Sequence, residues 1–290
     1  MRTSIRSTFF VPCLLAALAA RAHATTIVVP PGPGTPVQDA IDAAAPGDTI
    51  RLMIGDYPED VVITKPIKLR GVRSAATTVD QTTNLGDAGC GGGPTVTIIA
   101  SGVQMRGILV FADPLGGIDV RGDRNKLTDL YVLPSHCGSV FRPLVNVTQS
   151  TRTKLFRVTA VASAVLAVPA GIRIADIVAH AAVRVSKSNT AHNVVGVLLE
   201  NCADESVRVS ACNVNYNVRG IVLQGTTGAT VERNTLFSDS TTGVFLDAAS
   251  TGNAILRNKI TGSATDVSDA GSGNCWRNNV FTTGSVPPCP

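Results

Sequence analysis

Gly196, Gly220 and Gly243 each open a short apolar run, GVLLE, GIVLQ and GVFLD, at spacings of 24 and 23 residues. A fourth run, TDVSD from Thr265, begins 22 residues after Gly243. A period in the range of about 20 to 50 residues marks a solenoid, because one repeat cannot bury its apolar face alone and must stack on its neighbours. Strand-like runs recur from residue 95 onward, and Ile118 alternates with Val120 as Ile172 does with Ile174. That period of two belongs to strands. Between residues 150 and 195 the strand texture persists without a clean register.

The first residues have the form of an export signal. Arg2 and Arg6 precede an apolar stretch from Phe9 to Ala20, and Ala22-His23-Ala24 has the small-x-small form of a cleavage site. The stretch is too short to span a membrane as a helix. The expected organisation is a signal peptide over residues 1–24 and one β-helix domain over 25–290, secreted or periplasmic and with no membrane insertion after cleavage. Loss of Arg2, Arg6 and Arg21 takes the 25 basic residues to 22 against 21 acidic ones. A chain so nearly neutral gives no reason to propose a nucleic-acid partner.

Six cysteines remain after Cys13 is removed: Cys90, Cys137, Cys202, Cys212, Cys275 and Cys289. An even count in an oxidising compartment implies disulfides, and six residues allow about 15 pairings. Cys275–Cys289 is the favoured pair, as a staple for the C-terminal end, with Cys202–Cys212 and Cys90–Cys137 as further candidates. No CxxC pair occurs and the histidines are scattered, so zinc has no support.

At the N-terminus, Thr26–Val29, Thr49–Leu52, Val61–Ile63 and Ile67–Leu69 read as strands, with a turn over Asp56–Asp60. Thr35, Pro36 and Gln38 have the pattern of a helix start, and Val37 and Ile41 form its apolar stripe. Residues 72–94 read as a long polar loop. Near the C-terminus, Val231–Leu236 aligns with Ile255–Ile260 and then with Cys275–Val280, which matches Asn234 with Asn258 and Asn258 with Asn278. An asparagine recurring at a turn can tolerate a left-handed backbone and bond to the asparagine of the next coil.

Val37–Leu52, Gly55-Asp56-Tyr57, Glu59, Val61 and Ile67–Gly71, with the later Gly-Ile-x-Leu and Val-x-x-Asn repeats, resemble the secreted right-handed parallel β-helix proteins. That group includes the pectate-lyase-like superfamily and the NosD-like repeat proteins. The resemblance implies an all-β fold, a single-stranded right-handed parallel β-helix (solenoid) with a short N-terminal capping helix and three sheets. It also implies, in many members, a groove that takes polysaccharide. Neither the Asp-Pro-His motif of alginate epimerases nor the Asp-Asp pair of polygalacturonases is present in recognisable form.

Two constellations can carry chemistry. Asp119, Arg121, Arg124 and Asp129 are the candidate catalytic residues, with Tyr131 at strand spacing as a substrate contact. In the uronate lyases of the group, a base takes the proton at C5 while positive charge or Ca²⁺ stabilises the substrate carboxylate. Arg124 would clamp that carboxylate, and Arg121 would serve as base only with its proton affinity driven far down. A salt-bridged turn at a coil edge explains the same residues. Glu200, Gln224, Asp247 and Asp269 stand four positions after each repeat-opening residue, so a held register would stack them about 4.8 Å apart as substrate contacts. Asp247 and Asp269 would then be calcium ligands, Ca²⁺ being the cofactor such oxygen ligands admit. Turn preference alone also explains aspartates there. Asp176 and His180 are four apart in a strand-like context, and Asn146-Val147-Thr148 fits a glycosylation sequon. Arg121-Gly122-Asp123 matches the short adhesion tripeptide and carries no weight.

The expected function is binding or modification of an acidic polysaccharide, lyase-like at most, by a monomer. The alternative is a non-catalytic adhesion or scaffold protein.

Overall fold

The computed structural model describes residues 23–72, 82–86, 93–136, 140–163, 167–203, 205–287 and 289. The proposed signal peptide and the proposed Cys90–Cys137 pair lie outside these residues, save for the last two positions of the leader. All named strand pairings are parallel, and they stack into a right-handed β-helix with three faces. The third sheet is a 10-stranded ladder from Val61–Ile63 to Gly284–Ser285. The first sheet runs from Thr26–Val29 to Cys275–Arg277. The second runs from Gly55–Tyr57 to Lys259–Thr261. The long strands Lys126–Pro134 and Lys154–Val161 bend and contribute to both of these. That shared role explains why residues 150–195 lack a clean register in the sequence. One coil there has a corner with no break between strands.

Alternate side chains of each strand enter the tube, as in the buried-exposed-buried pattern of Val61–Ile63. Ile, Val and Leu dominate the interior, which forms one continuous core. The repeat glycines are explained by space. Gly171, Gly196, Gly220 and Gly243 form one inward column in the third sheet. A Cβ at Gly243 would come within 2.3 Å of Ile260, and one at Gly196 within 2.6 Å of Val214. The next position in that column is Asp266, because Thr242 pairs with Thr265 and Val244 with Val267. The fourth repeat therefore opens at Asp266 and not at Thr265.

The corners are closed by side-chain ladders. Asn234 N–H donates to Asn258 Oδ1 at 2.9 Å, and Asn258 N–H to Asn279 Oδ1 at 2.8 Å. Asn279, and not Asn278, continues this ladder, since Ile255 pairs with Trp276. Asn278 has φ 57° and takes the left-handed corner position that Arg233 and Arg257 hold on the preceding coils. A second ladder joins Asn253 to Asn274, and a third joins Asn193 to Asn217 and Asp239.

The helix Pro36–Ala43 covers the N-terminal end with Val37, Ala40 and Ile41 buried. Such a cover hides a strand edge that would otherwise pair with another chain. Thr35 makes no side-chain cap. Glu59 does that work from the next coil, accepting the N–H groups of Val37 and Gln38 at 2.8 and 2.9 Å. A carboxylate is the favoured partner there because the free N–H groups and the helix dipole both present positive charge. Three further expectations change. The segment Asp56–Asp60 begins as strand Gly55–Tyr57, and Thr83–Gly86 inside the expected loop is its partner strand. Cys275–Cys289 is a disulfide, whereas Cys202 and Cys212 are free and buried. Their sulfurs sit at different corners, Cys202 beside the carbonyls of Ile174 and Glu200, Cys212 beside those of Ser210 and Val185.

Candidate functional site

The outer face of the first sheet is basic. One row of pairs runs Lys68, Gln104, Lys126, Lys154, Arg184, Arg208. The row beside it begins Arg51, Arg70, Arg106. Lys126, Lys154, Arg184 and Arg208 are exposed on successive coils, spaced by about 4.8 Å, the distance between paired strands. Arg208 is bonded to Glu232. Among the described residues no acid pairs with Lys126, Lys154 or Arg184. Like charges directly opposed across strands are destabilising, so this row is a structural cost.

At the bend between the first and second sheets lies a groove of about 1050 Å³, lined among others by Arg51, Arg70, Arg106, Asp129, Tyr131, Arg157, Lys187 and Asn189. Five cations face one carboxylate. Asp129 sits at the left-handed corner, φ 53°, and accepts from Arg157 Nη2 at 2.9 Å and Arg106 Nε at 3.1 Å. The Arg157 hydrogen bond holds the Asp129 carboxyl below its usual range against a smaller opposing effect of burial, with Arg106 adding to the depression. The Arg157 guanidinium also lies 4.6 Å from the centre of the Phe156 ring, and the Lys187 ammonium 5.6 Å.

A second cleft, of about 440 Å³, lies on the third sheet and includes Asp119, Arg121, Asn146 and Arg173. The tube separates the sequence cluster into faces. Asp119 and Arg121 stand on the third sheet, Arg124 at the corner that follows, and Asp129 with Tyr131 in the groove on the first and second sheets. Residues close in sequence part company because each sheet covers only three to six residues before the chain turns. Asp119 accepts from Arg121 Nε at 2.8 Å and Asn146 Nδ2 at 2.8 Å. Asn146 in turn accepts from Arg173 Nη1 at 3.0 Å, and Arg173 Nε reaches Glu200 Oε2 at 2.8 Å. The network carries Asp119 to Glu200 across four coils. Sequence reading missed Arg173 and placed Asn146 only as a sequon; the alignment of IDV, VNV and GIRIA as neighbouring strands was the signal. With its amide oxygen and nitrogen both engaged, Asn146 is part of the sheet surface. Gly122 of the Arg-Gly-Asp tripeptide is buried.

The polar column divides as well. Glu200 and Gln224 are paired neighbours. Asp269 pairs with Leu246, one position out of register with Asp247. Asp247 accepts from Gly225 N–H at 3.1 Å and Ser250 Oγ at 2.7 Å. Asp269 accepts from Gly271 N–H, Asn274 Nδ2 and Trp276 Nε1 at 2.9, 3.0 and 2.7 Å. Asp269 closes its own turn, Asp247 also ties its coil to the one before through Gly225, and the stacked register expected of the two gives way to this offset. His180 lies 3.3 Å from Glu205, and Asp176, four residues before it, accepts from Asn201. Near the N-terminal end, burial and the neighbouring Asp113 push the Asp60 carboxyl up to about 6. No motif in the sequence marks this acid pair.

A family model described as NosD, periplasmic copper-binding protein, matches residues 147–286. No curated protein sequence matches the chain. Among solved structures, the pectate lyase Pel9A is similar at 13% identity with a TM-score of 0.64, over 91% of this chain and 78% of that one. ORF18 of Geobacillus virus E2 is similar at 11% identity and a TM-score of 0.55, over 85% of this chain and 57% of its own length. DFA-IIIase from Arthrobacter chlorophenolicus A6, solved with DFA-III, is similar at 14% identity and 0.56, over 83% and 68%. At these identities the likeness is one of fold. Copper does not fit the donors present. The matched segment holds His180 and His192, the buried thiols of Cys202 and Cys212, the disulfide-bonded Cys275, and no methionine. Among the described residues no three His, Cys, Asp or Glu side chains gather in a way that would hold a metal. Nor does any helix among them have the length and apolarity to cross a membrane.

Proposed function

We propose that this right-handed parallel β-helix is an exported or periplasmic protein that binds an acidic polysaccharide along the basic face of its first sheet and the adjoining groove. The observation that carries the reading is the row Lys126, Lys154, Arg184, one unpaired cation per coil. A strand spacing of about 4.8 Å is close to the length of one sugar residue, so a linear polymer lying along the tube would meet one cation per residue. Clustered charge of one sign steers and concentrates a polyanion. The leader-like N-terminus, the periplasmic description of the matching family and the polysaccharide lyase among the fold neighbours support the same setting.

Binding is favoured over bond cleavage by the state of the candidate acids. Asp119, Asp129, Asp247 and Asp269 each accept at least two hydrogen bonds. Arg121 spends its Nε and Nη2 on Asp119, so it is placed to clamp and not to abstract. The test is retention on immobilised polygalacturonate, alginate and glycosaminoglycan against a neutral glucan, with ultraviolet absorbance read for unsaturated uronate release, with and without Ca²⁺. Salt-sensitive retention on the acidic polymers without release is expected. Equal retention on the neutral glucan, or none on any polymer, contradicts the reading and favours a scaffold. Absorbance lost in an Asp119→Asn variant would move the third-sheet cleft to an active site.

A further inference from the structure

Each corner ladder follows one rule of donors and acceptors. An inner rung accepts at Oδ1 from the coil before it, and its Nδ2 donates to main-chain carbonyls and to the Oδ1 of the next rung, whereas the first rung Asn193 has no partner at its own Oδ1. Asn217 Nδ2 donates to the carbonyls of Asn215 and Thr190 at 3.1 and 3.4 Å, and Asn193 Nδ2 to those of Ala191 and Ala160 at 2.9 and 3.2 Å. Asp239 is the third rung of that column. Its Oδ1 keeps the rule, accepting Asn217 N–H at 2.9 Å and Asn217 Nδ2 at 3.2 Å. Its Oδ2 stands where the others have an NH₂ group. That oxygen is buried and has no hydrogen-bond partner. An ionised oxygen there has no donor bonded to it. By register, the carbonyls equivalent to those that Asn217 meets are that of Phe237 on the coil of Asp239 and that of Val214 on the coil before, since Asn215 pairs with Phe237 and Thr190 with Val214. A Cβ at Gly220 would meet both Asp239 Oδ2 and the Gly243 carbonyl at 2.4 Å, so glycine is what leaves room for the carboxyl group.

We propose that Asp239 is a neutral carboxylic acid in the native tube, donating its proton to these carbonyls, and that it acts as a proton-dependent lock on the coils between residues 213 and 266. The elements packed around it bring no charge to it. Asn217 and Gly220 on the coil before, Leu236 on its own coil, and Gly243 are all neutral. On the coil after, Ser263 is a hydroxyl, and Asp266 turns its carboxylate to the N–H groups of Ser263, Thr282 and Thr283. Arg219 is exposed and lies 5.3 Å from the Phe245 ring. Burial is the main influence on Asp239 and pushes its carboxyl up to about 7, against the lowering effect of the two Asn217 donors. In the unfolded chain the same group ionises near about 3.9. The folded state therefore holds the proton more tightly, and the stability this gives is complete below the unfolded value and is lost as pH rises toward the folded one.

The test compares thermal unfolding of the full chain with Asp239→Asn from pH 4 to 8, beside a carbon-13 titration of the side-chain carboxyl resonances. The asparagine restores the missing donor, so the variant is expected to gain in melting temperature over the parent as pH rises from 4 to 7, with a constant gap above. One carboxyl resonance of the parent, absent from the variant, is expected to titrate near neutrality. A gap independent of pH, or an Asp239 resonance fully ionised at pH 5, overturns the proposal. If the variant does not fold, the parent's Asp239 resonance, assigned through its own backbone, decides the matter alone.

Discussion

Asn258 Oδ1 accepts the N–H of Asn234 at 2.9 Å while the Asn258 amide donates to the carbonyl of Val231 at 3.0 Å. With its Nδ2 also donating to Asn279 Oδ1 at 3.0 Å, this one side chain ties three consecutive coils at a corner where the backbone has left the sheet. Buried polar groups left unpaired cost about 1–3 kcal/mol each. Asn258→Ala exposes at least two, so a loss of about 2–5 kcal/mol in unfolding free energy is expected by denaturant titration. A change under about 0.5 kcal/mol would remove the ladder from the account of stability.

Gly243 has a Cβ site within 2.3 Å of Ile260 Cγ2 and 2.7 Å of the Asp266 carbonyl. Gly243→Ala forces that corner apart and is expected to cost about 1–3 kcal/mol, as overpacking does. Gly252→Ala is the control for added volume, since nothing lies within 4 Å of its Cβ site. Its φ of 64° leaves only the backbone strain of a left-handed alanine. Melting temperatures of the two variants check the difference.

Asp129 has its carboxyl lowered chiefly by Arg157. A depressed folded value means that the stabilisation is present above the unfolded value, near about 3.9, and is lost as pH falls through the folded one. The parent is therefore expected to be more stable than Asp129→Asn at pH 6, with the gap closing as the solution is acidified below pH 4. Unfolding curves of both proteins across that range would show it, and a gap that widens in acid would contradict it. The pair is substantially exposed, so the effect is small.

Burial pushes the thiols of Cys202 and Cys212 up to about 11. Thiolate is the reactive form, so the folded protein is expected to leave both unmodified by a thiol reagent at pH 8, and both to react on unfolding. Rapid labelling of either in the native state would show that its corner opens.

The glycine period made the solenoid legible, because a column with no room for a Cβ imposes glycine on coil after coil. Gly171 belongs to the same column but is masked in the sequence, since its strand begins with small residues. The fourth repeat opens one residue later than its residue types suggest. Thr265 resembles an opening residue in type, but the tube end gives Asp266 space for a side chain that bonds to Thr282 and Thr283. The candidate site was legible only in fragments. Asp119 and Arg121 pair as neighbours in sequence, whereas the partner of Asp129 is Arg157, a full coil away. The basic face was invisible in the net charge, because Lys126, Lys154, Arg184 and Arg208 are separated by 24 to 30 residues and align only once the strand register is known.

The most direct measurement is the affinity of the folded protein for polygalacturonate by calorimetry, at low and at physiological salt, beside the double variant Lys126→Glu/Lys154→Glu and a neutral galactan. The account predicts binding that weakens as salt screens the charges. It predicts at least a tenfold loss in the double variant, about 1.4 kcal/mol, with melting temperature retained, and no binding of the galactan. Undiminished affinity in the double variant, or equal binding of the neutral polymer, would contradict the assignment of the first-sheet face as the site of an acidic glycan.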